Sequence, residues 1–192
     1  MNARRPAVFL DRDGTIIDEV GYLDSVDLIN LFPWTIDSLR ALNRAGFAVV
    51  VVTNQSGIAR GLLTCEGVER VHEEIDARIR AGRAHVDAYY YCPHHPHGSV
   101  ADFTRACDCR KPGRGLVDRA ERDLGIDPAR SFVIGDKWTD VALAHAVGAR
   151  GIFVRTGRGS AGPCPADVPP AAAILDNLAA AASWILLHAD RA

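Results

Sequence analysis

Two aspartates one residue apart, Asp11 and Asp13, stand directly behind a short apolar run in the segment Asp11-Arg12-Asp13-Gly14-Thr15. Alternation along an extended chain turns both carboxylates toward the same edge. One carboxylate beside a bound cation can attack phosphorus, while the other donates a proton to the leaving alkoxide and later takes one from water. Phosphomonoester hydrolysis is the chemistry this pair suits. Asp and Gly also favour turns, so the same residues equally suit a solvated turn capping the next element.

Three further stretches bear on that choice. Thr53-Asn54-Gln55-Ser56-Gly57 follows a second apolar run and offers a hydroxyl, amides and backbone N–H groups to phosphate oxygens, although a polar strand-to-helix turn has the same composition. Arg110-Lys111-Pro112 supplies adjacent positive charges that could offset phosphate charge, or simply a solvated basic pair. Gly135-Asp136-Lys137-Trp138-Thr139-Asp140 brings two more acids, suited to a hard oxygen shell for Mg²⁺; helix capping by Asp140 is the alternative.

Cys92-Pro93-His94 and Cys107-Asp108-Cys109 form two tight pairs that together offer three thiols and an imidazole. This is a tetrahedral zinc set. With Cys92, His94, Cys107 and Cys109 all bound, no position is left for water, so the zinc would be structural and would pin the loop leading into Arg110 and Lys111. The spacings differ from the commoner C-x₂-C, and unrelated buried thiols with surface histidines are the alternative. His95 and His97 are spare, and Cys65 and Cys164 are isolated.

The elements that must position these groups are legible as alternating patterns. Short apolar runs at 7–10, 47–52, 88–91, 132–134 and 152–154 read as buried strands, each followed by polar or glycine-rich residues. Val68, Val71, Ile75 and Ile79 recur at helical spacing, as do Leu116, Ala120 and Leu124. Such alternation predicts a mostly parallel sheet covered by helices on both faces, with ligands at the carboxyl ends of the strands. Residues 93–113 and 157–170 read as long loops, followed by a short run at 172–175 and an amphipathic tail carrying Leu178, Ala182 and Ile185.

The chain has 192 residues, 48% of them hydrophobic, and a net charge of −2. One domain spanning 1–192 is expected, with no surplus of basic charge for nucleic acid and no apolar run near the length of a membrane span. Met1-Asn2-Ala3-Arg4-Arg5 leads straight into the first apolar run without the pattern of a signal peptide. An odd count of five cysteines, three of them clustered with histidines, points to a reducing compartment, hence the cytoplasm.

Taken in order, Asp-x-Asp-Gly-Thr, a strand-end Thr-Asn, a later Lys-Pro and Gly-Asp-x-x-x-Asp over residues 11–140 resemble the haloacid dehalogenase superfamily. The resemblance implies a Rossmann-like three-layer α/β/α fold and an aspartyl-phosphate intermediate. It casts Asp11 as nucleophile and Mg²⁺ ligand, Asp13 as general acid/base and main-chain Mg²⁺ ligand, and Asp136 as a further Mg²⁺ ligand. Thr53 and Lys111 would hold the transferring phosphoryl group.

Within that superfamily the zinc loop resembles the group of D,D-heptose 1,7-bisphosphate phosphatases and histidinol-phosphate phosphatases. The heptose branch is the better match, at Gly21-Tyr22, Thr53-Asn54-Gln55-Ser56-Gly57-Ile58-Ala59-Arg60-Gly61, Tyr90-Tyr91-Cys92-Pro93-His94-His95-Pro96 and Cys107-Asp108-Cys109-Arg110-Lys111-Pro112. It implies substrate contacts from Arg12, Glu19, Val20, Gly21, Tyr22, Asn54, Gln55, Ser56, Arg110 and Lys137. Arg110 would serve a second phosphate. Ile17, Glu19 and Arg114 depart from the usual Asn, Asp and Pro, none of them at a position assigned to the chemistry.

The implied reaction is removal of the 7-phosphate of a D-glycero-D-manno-heptose 1,7-bisphosphate in lipopolysaccharide precursor synthesis, by a monomer using Mg²⁺ for catalysis and Zn²⁺ for structure. Histidinol-phosphate hydrolysis is the alternative activity, and a zinc-stabilised binding module without catalysis the non-enzymatic one. The segment between Asp13 and Thr53 is too short for a large cap domain, so an open entrance walled by the zinc loop is expected.

Overall fold

The computed structural model describes residues 4–158 and 162–189. Six strands, β1 (Ala7–Leu10), β2 (Ala48–Asn54), β3 (Ala88–Cys92), β4 (Phe132–Gly135), β5 (Arg150–Val154) and β6 (Ala173–Leu175), form one sheet in the order β3-β2-β1-β4-β5-β6. Every pairing is parallel, so the expected mostly parallel sheet is in fact wholly so among these strands.

The apolar runs are continuous rather than alternating because the sheet is covered on both sides. Val8, Leu10, Val49, Val51, Phe132 and Ile134 face one cluster, shared with Leu39 and Leu42 of α1 (Thr35–Arg44), Val71, Ile75 and Ile79 of α3 (Cys65–Ala81), and Leu178 and Ile185 of α6 (Leu178–His188). Ala7, Phe9, Val50, Val52 and Val133 face the other, with Leu116, Val117 and Ala120 of α4 (Gly115–Leu124) and Leu143 and Ala144 of α5 (Trp138–Val147). The result is the three-layer arrangement, and each fully buried Val, Leu or Ile contributes about 1.5–3 kcal/mol.

Helix ends carry their expected devices. The short α2 (Ser56–Ala59) follows β2; beyond it the Thr64 hydroxyl accepts from the Gly67 N–H at the start of α3, and Asn177 Oδ1 accepts from Ala180 N–H at the start of α6. Helices α4 and α5 stop at Gly125 and Gly148, both with positive φ. Residues 11–34 hold only isolated bridges and a short 3₁₀ turn (Val26–Leu28), so among the described residues no cap domain follows β1. No helix among the described residues is long and apolar enough to cross a membrane.

The chain winds outward from β1 to β3, then returns to β4 beside β1. A crevice therefore opens over the adjacent carboxyl ends of β1 and β4, the topological switch point where α/β sheets bind ligands.

Candidate active site

Asp11 leaves β1 with its N–H bound to Ile134 O of β4 at 2.9 Å, which fixes its side chain over the switch point. Its Oδ1 accepts from the Arg12 N–H at 2.7 Å and lies 3.0 Å from Lys111 Nζ; its Oδ2 lies 3.3 Å from Lys137 Nζ. Burial alone would push the Asp11 carboxyl up, but the Lys111 and Lys137 ammoniums and the Arg12 N–H reverse this and hold it below the usual carboxylate range. An ionised carboxylate thus sits at the cleft floor between two cations.

Lys111 comes from the end of the long loop and reaches back under the site. Asn54 fixes its main chain by a reciprocal pair, Nδ2 donating to Lys111 O at 3.1 Å and Oδ1 accepting from Lys111 N–H at 3.0 Å. Its Nζ meets Asp140 Oδ1 at 2.6 Å and donates to Val52 O at 2.9 Å. Burial opposes its charge, but the carboxylates of Asp11 and Asp140 hold its pKa above the ordinary lysine value.

Asp136, at the end of β4, accepts the Arg158 N–H at Oδ2 (2.7 Å). Its Oδ1 is buried without a hydrogen bond among the described residues and meets the Lys137 ammonium at 3.4 Å. Burial and the nearby Asp11 push the Asp136 carboxyl up, against the pull of Lys137. Carboxylate oxygens of Asp11, Asp136 and Asp140 lie within 4.8 Å of one another. Asp140 is engaged otherwise, by Lys111 and by the Lys137 N–H at the start of α5, so the helix-capping alternative raised by its sequence position is realised.

Asp13 turns its carboxylate away from that acidic group. Oδ1 accepts from Arg12 Nε and Nη2 at 3.1 and 3.0 Å, and Oδ2 from Gln55 Nε2 at 2.9 Å. Both Asp13 carboxylate oxygens are thus engaged by donors, and neither joins the group formed by Asp11, Asp136 and Asp140. Gln55 Nε2 also donates to Thr53 Oγ1 at 2.9 Å, so the threonine hydroxyl keeps its own hydrogen for a ligand.

A cleft of about 630 Å³ opens above these groups. Of the residues expected there, Asp11, Asp13, Glu19, Gly21, Tyr22, Thr53, Asn54, Gln55, Ser56, Arg110, Lys111 and Lys137 line it. Two expected substrate contacts do not. Arg12 is 1% exposed, its guanidinium held inward by Asp13 and His72, and Val20 is 46% exposed, its side chain outside the cleft lining. Arg60, His95, Thr139 and Arg158 line the cleft without having been singled out. Arg60 lies within the Thr53 to Gly61 segment, and Arg158 stands in the glycine-rich loop that follows β5.

Cys92 ends β3, and the following loop folds back so that its Sγ lies 3.5 Å from Cys107 Sγ and 3.1 Å from Cys109 Sγ. His94 Nδ1 stands 3.3 Å from Cys109 Sγ and 3.8 Å from Cys92 Sγ. All three cysteines are free thiols, and the four ligand atoms converge within 4.8 Å. The converged thiols and imidazole place the loop so that Arg110 and Lys111 enter the cleft.

Residues 108–181 match the HAD-hydrolase-like family model. A D-glycero-beta-D-manno-heptose-1,7-bisphosphate 7-phosphatase from Salmonella typhi is 43% identical over 183 residues, 94% of this chain and 89% of its own. Its namesake from Escherichia coli (strain K12) is 47% identical over 155 residues, 80% of this chain and 81% of its own. Among solved structures, a D,D-heptose 1,7-bisphosphate phosphatase from B. bronchiseptica complexed with magnesium and phosphate aligns with a TM-score of 0.84 and 29% identity, covering 95% of this chain and 99% of its own. With that fold, that coverage and that identity, the chain belongs to the D-glycero-beta-D-manno-heptose-1,7-bisphosphate 7-phosphatase family of HAD-like hydrolases.

Proposed function

We propose that this chain hydrolyses the 7-phosphate of D-glycero-beta-D-manno-heptose 1,7-bisphosphate through a phosphorylated Asp11, in the supply of heptose for lipopolysaccharide. The observation that carries the chemistry is the Asp11 carboxylate, kept ionised between Lys111 and Lys137 and followed two residues later by Asp13. The names of the relatives support the substrate and its beta anomer.

In the first step an Asp11 oxygen attacks phosphorus, the bond from phosphorus to the C7 oxygen breaks, and Asp13 gives its proton to that oxygen. In the second, Asp13 takes a proton from water as the water attacks the phosphorylated Asp11, releasing phosphate and regenerating the carboxylate. Lys111 and the Thr53 hydroxyl hold phosphoryl oxygens throughout. Positioning of the reacting groups can supply about 7–11 kcal/mol, and a placed acid/base about 10²- to 10⁴-fold in rate.

The carboxylates of Asp11 and Asp136, with the Asp13 main-chain carbonyl, would hold Mg²⁺, whose charge would neutralise the phosphoryl group as it transfers. The fit rests on Asp136 Oδ1, buried without a hydrogen bond among the described residues, in a carboxylate pair that already draws one cation, the Lys137 ammonium. Cys92, His94, Cys107 and Cys109 would hold Zn²⁺. Their Sγ atoms already lie 3.1, 3.4 and 3.5 Å apart, close enough to share one ion, whose role there would be structural.

Arg60 and Arg110 both line the cleft and give it a cationic surface suited to the second phosphate. Nothing in histidinol phosphate would occupy it. The chain is proposed to act as a monomer, and cysteines gathered with a histidine rather than paired in disulfides suit the cytoplasm.

The test is kcat/KM, with Mg²⁺, on the beta and alpha heptose bisphosphates and on histidinol phosphate side by side. The beta heptose bisphosphate is expected to be preferred. Faster turnover of histidinol phosphate would overturn the substrate assignment.

A further inference from the structure

Behind Asp13, on the side away from the cleft, runs a second layer of contacts. Arg12, the largest fully buried side chain among the described residues, uses Nε and Nη2 on Asp13 and points Nη1 at His72 Nε2, 3.2 Å away. A guanidinium only donates, so the imidazole nitrogen must accept, and His72 is the tautomer with its hydrogen on Nδ1.

His72 is built to stay in that state. It projects from α3 on the buried face that carries Val68, Val71 and Ile75. Its ring stacks on Tyr89 at 5.0 Å between centroids and meets Tyr91 edge-on at 5.8 Å. Burial, and then the Arg12 charge, push its pKa far below the ordinary histidine value, so the ring stays neutral and keeps accepting at working pH.

We infer that His72 is a positioning residue for proton transfer: by accepting from Arg12 it fixes the guanidinium that orients the Asp13 carboxylate. The Asp13 carboxylate is gripped at Oδ1 by Arg12 and at Oδ2 by Gln55, and rotation would break one grip or the other. Without His72 the Nη1 donor is buried and unpaired, and the Arg12 fork is free to turn toward another acceptor. The inference rests on Asp13 as the acid/base group proposed above.

A misaligned acid matters only when the leaving group needs its proton. Alkoxide from a sugar phosphate needs it, whereas 4-nitrophenolate leaves without it. The experiment compares kcat/KM on the heptose bisphosphate and on 4-nitrophenyl phosphate for wild type, His72→Phe, His72→Gln and Asp13→Asn. His72→Phe keeps the stack on Tyr89 and removes the acceptor; it should lose about tenfold on the sugar phosphate, a part of what a positioned acid contributes, and less than about twofold on the aryl phosphate. His72→Gln restores an acceptor and should recover most of the loss. If the phenyl ring disturbs packing, His72→Met removes the acceptor on an unbranched side chain and should show the same selectivity.

Equal losses on both substrates, or none, with Asp13→Asn still selective for the sugar phosphate, would overturn the role of His72 alone. An unselective Asp13→Asn would take down the acid/base reading and this inference with it.

Discussion

Lys111 and Asp140 form a buried ion pair, Nζ to Oδ1 2.6 Å, with both side chains 1% exposed. The pair holds the ammonium that faces Asp11, so Asp140 supports the site without lining the cleft. Asp140→Asn keeps the shape and an acceptor for the Lys137 N–H but leaves Lys111 with one carboxylate fewer. Breaking a buried pair at one partner costs about 3–5 kcal/mol, and urea unfolding of the metal-free protein should show a loss near the lower end because Asp11 remains. Activity should fall with it. Unchanged stability would mean the pair is not formed.

His72 makes stability depend on pH. Its folded pKa is pushed down to about 3 from an ordinary 6.5, so the unfolded chain binds the proton first as pH falls. The stability from keeping His72 neutral is fully present above about pH 6.5 and is lost progressively down to about pH 3, at up to about 1.4 kcal/mol per pH unit. Urea unfolding at pH 7 and pH 5 should show a steeper loss for wild type than for His72→Gln. Equal slopes would contradict the buried neutral ring.

Gly14 makes room for Asp136. Its φ is +81°, and a Cβ there would lie 2.8 Å from Asp136 Cγ and overlap Oδ2. Gly14→Ala should displace the Asp136 carboxylate, and displacements of about 1 Å in such sites cost about 10²-fold in rate. Steady-state kinetics at varied Mg²⁺ should show lower kcat and a higher Mg²⁺ requirement. Wild-type kinetics would mean that this contact does not set the position of Asp136.

The thiols should matter for stability first. Cys107→Ser is expected to lower bound zinc, measured by metal analysis, and to lower the thermal unfolding temperature, with a smaller loss of activity transmitted through Arg110 and Lys111. Full stability without zinc would remove the structural role.

Much of this site was legible because its determinants are local. Asp11 and Thr53 directly follow apolar runs that read as strands, Asp136 follows one after Gly135, and parallel strands bring such ends together. The direction of Arg12 was not legible, since it depends on an acceptor 60 residues away on α3. The family resemblance implies a substrate contact from Arg12, whereas its partners in space, Asp13 and His72, turn it inward. Helix α1 went unread for a related reason: its buried face mixes Thr35 and Ser38 with Leu39 and Leu42, and Thr35 is accommodated only because its hydroxyl donates to Ile16 O at 2.8 Å. Arg158 lies in a stretch whose glycines and prolines speak only of loop, and its place at the cleft comes from β5 beside β4.

The central claim is that Asp11 is the nucleophile, and its most direct test is turnover of the heptose bisphosphate by Asp11→Asn beside wild type at saturating Mg²⁺, with mass spectrometry of acid-quenched protein. The expected result is a folded variant with no measurable phosphate release, and a phosphorylated peptide containing Asp11 in wild type alone. Phosphate release by Asp11→Asn at a rate near that of wild type would contradict it.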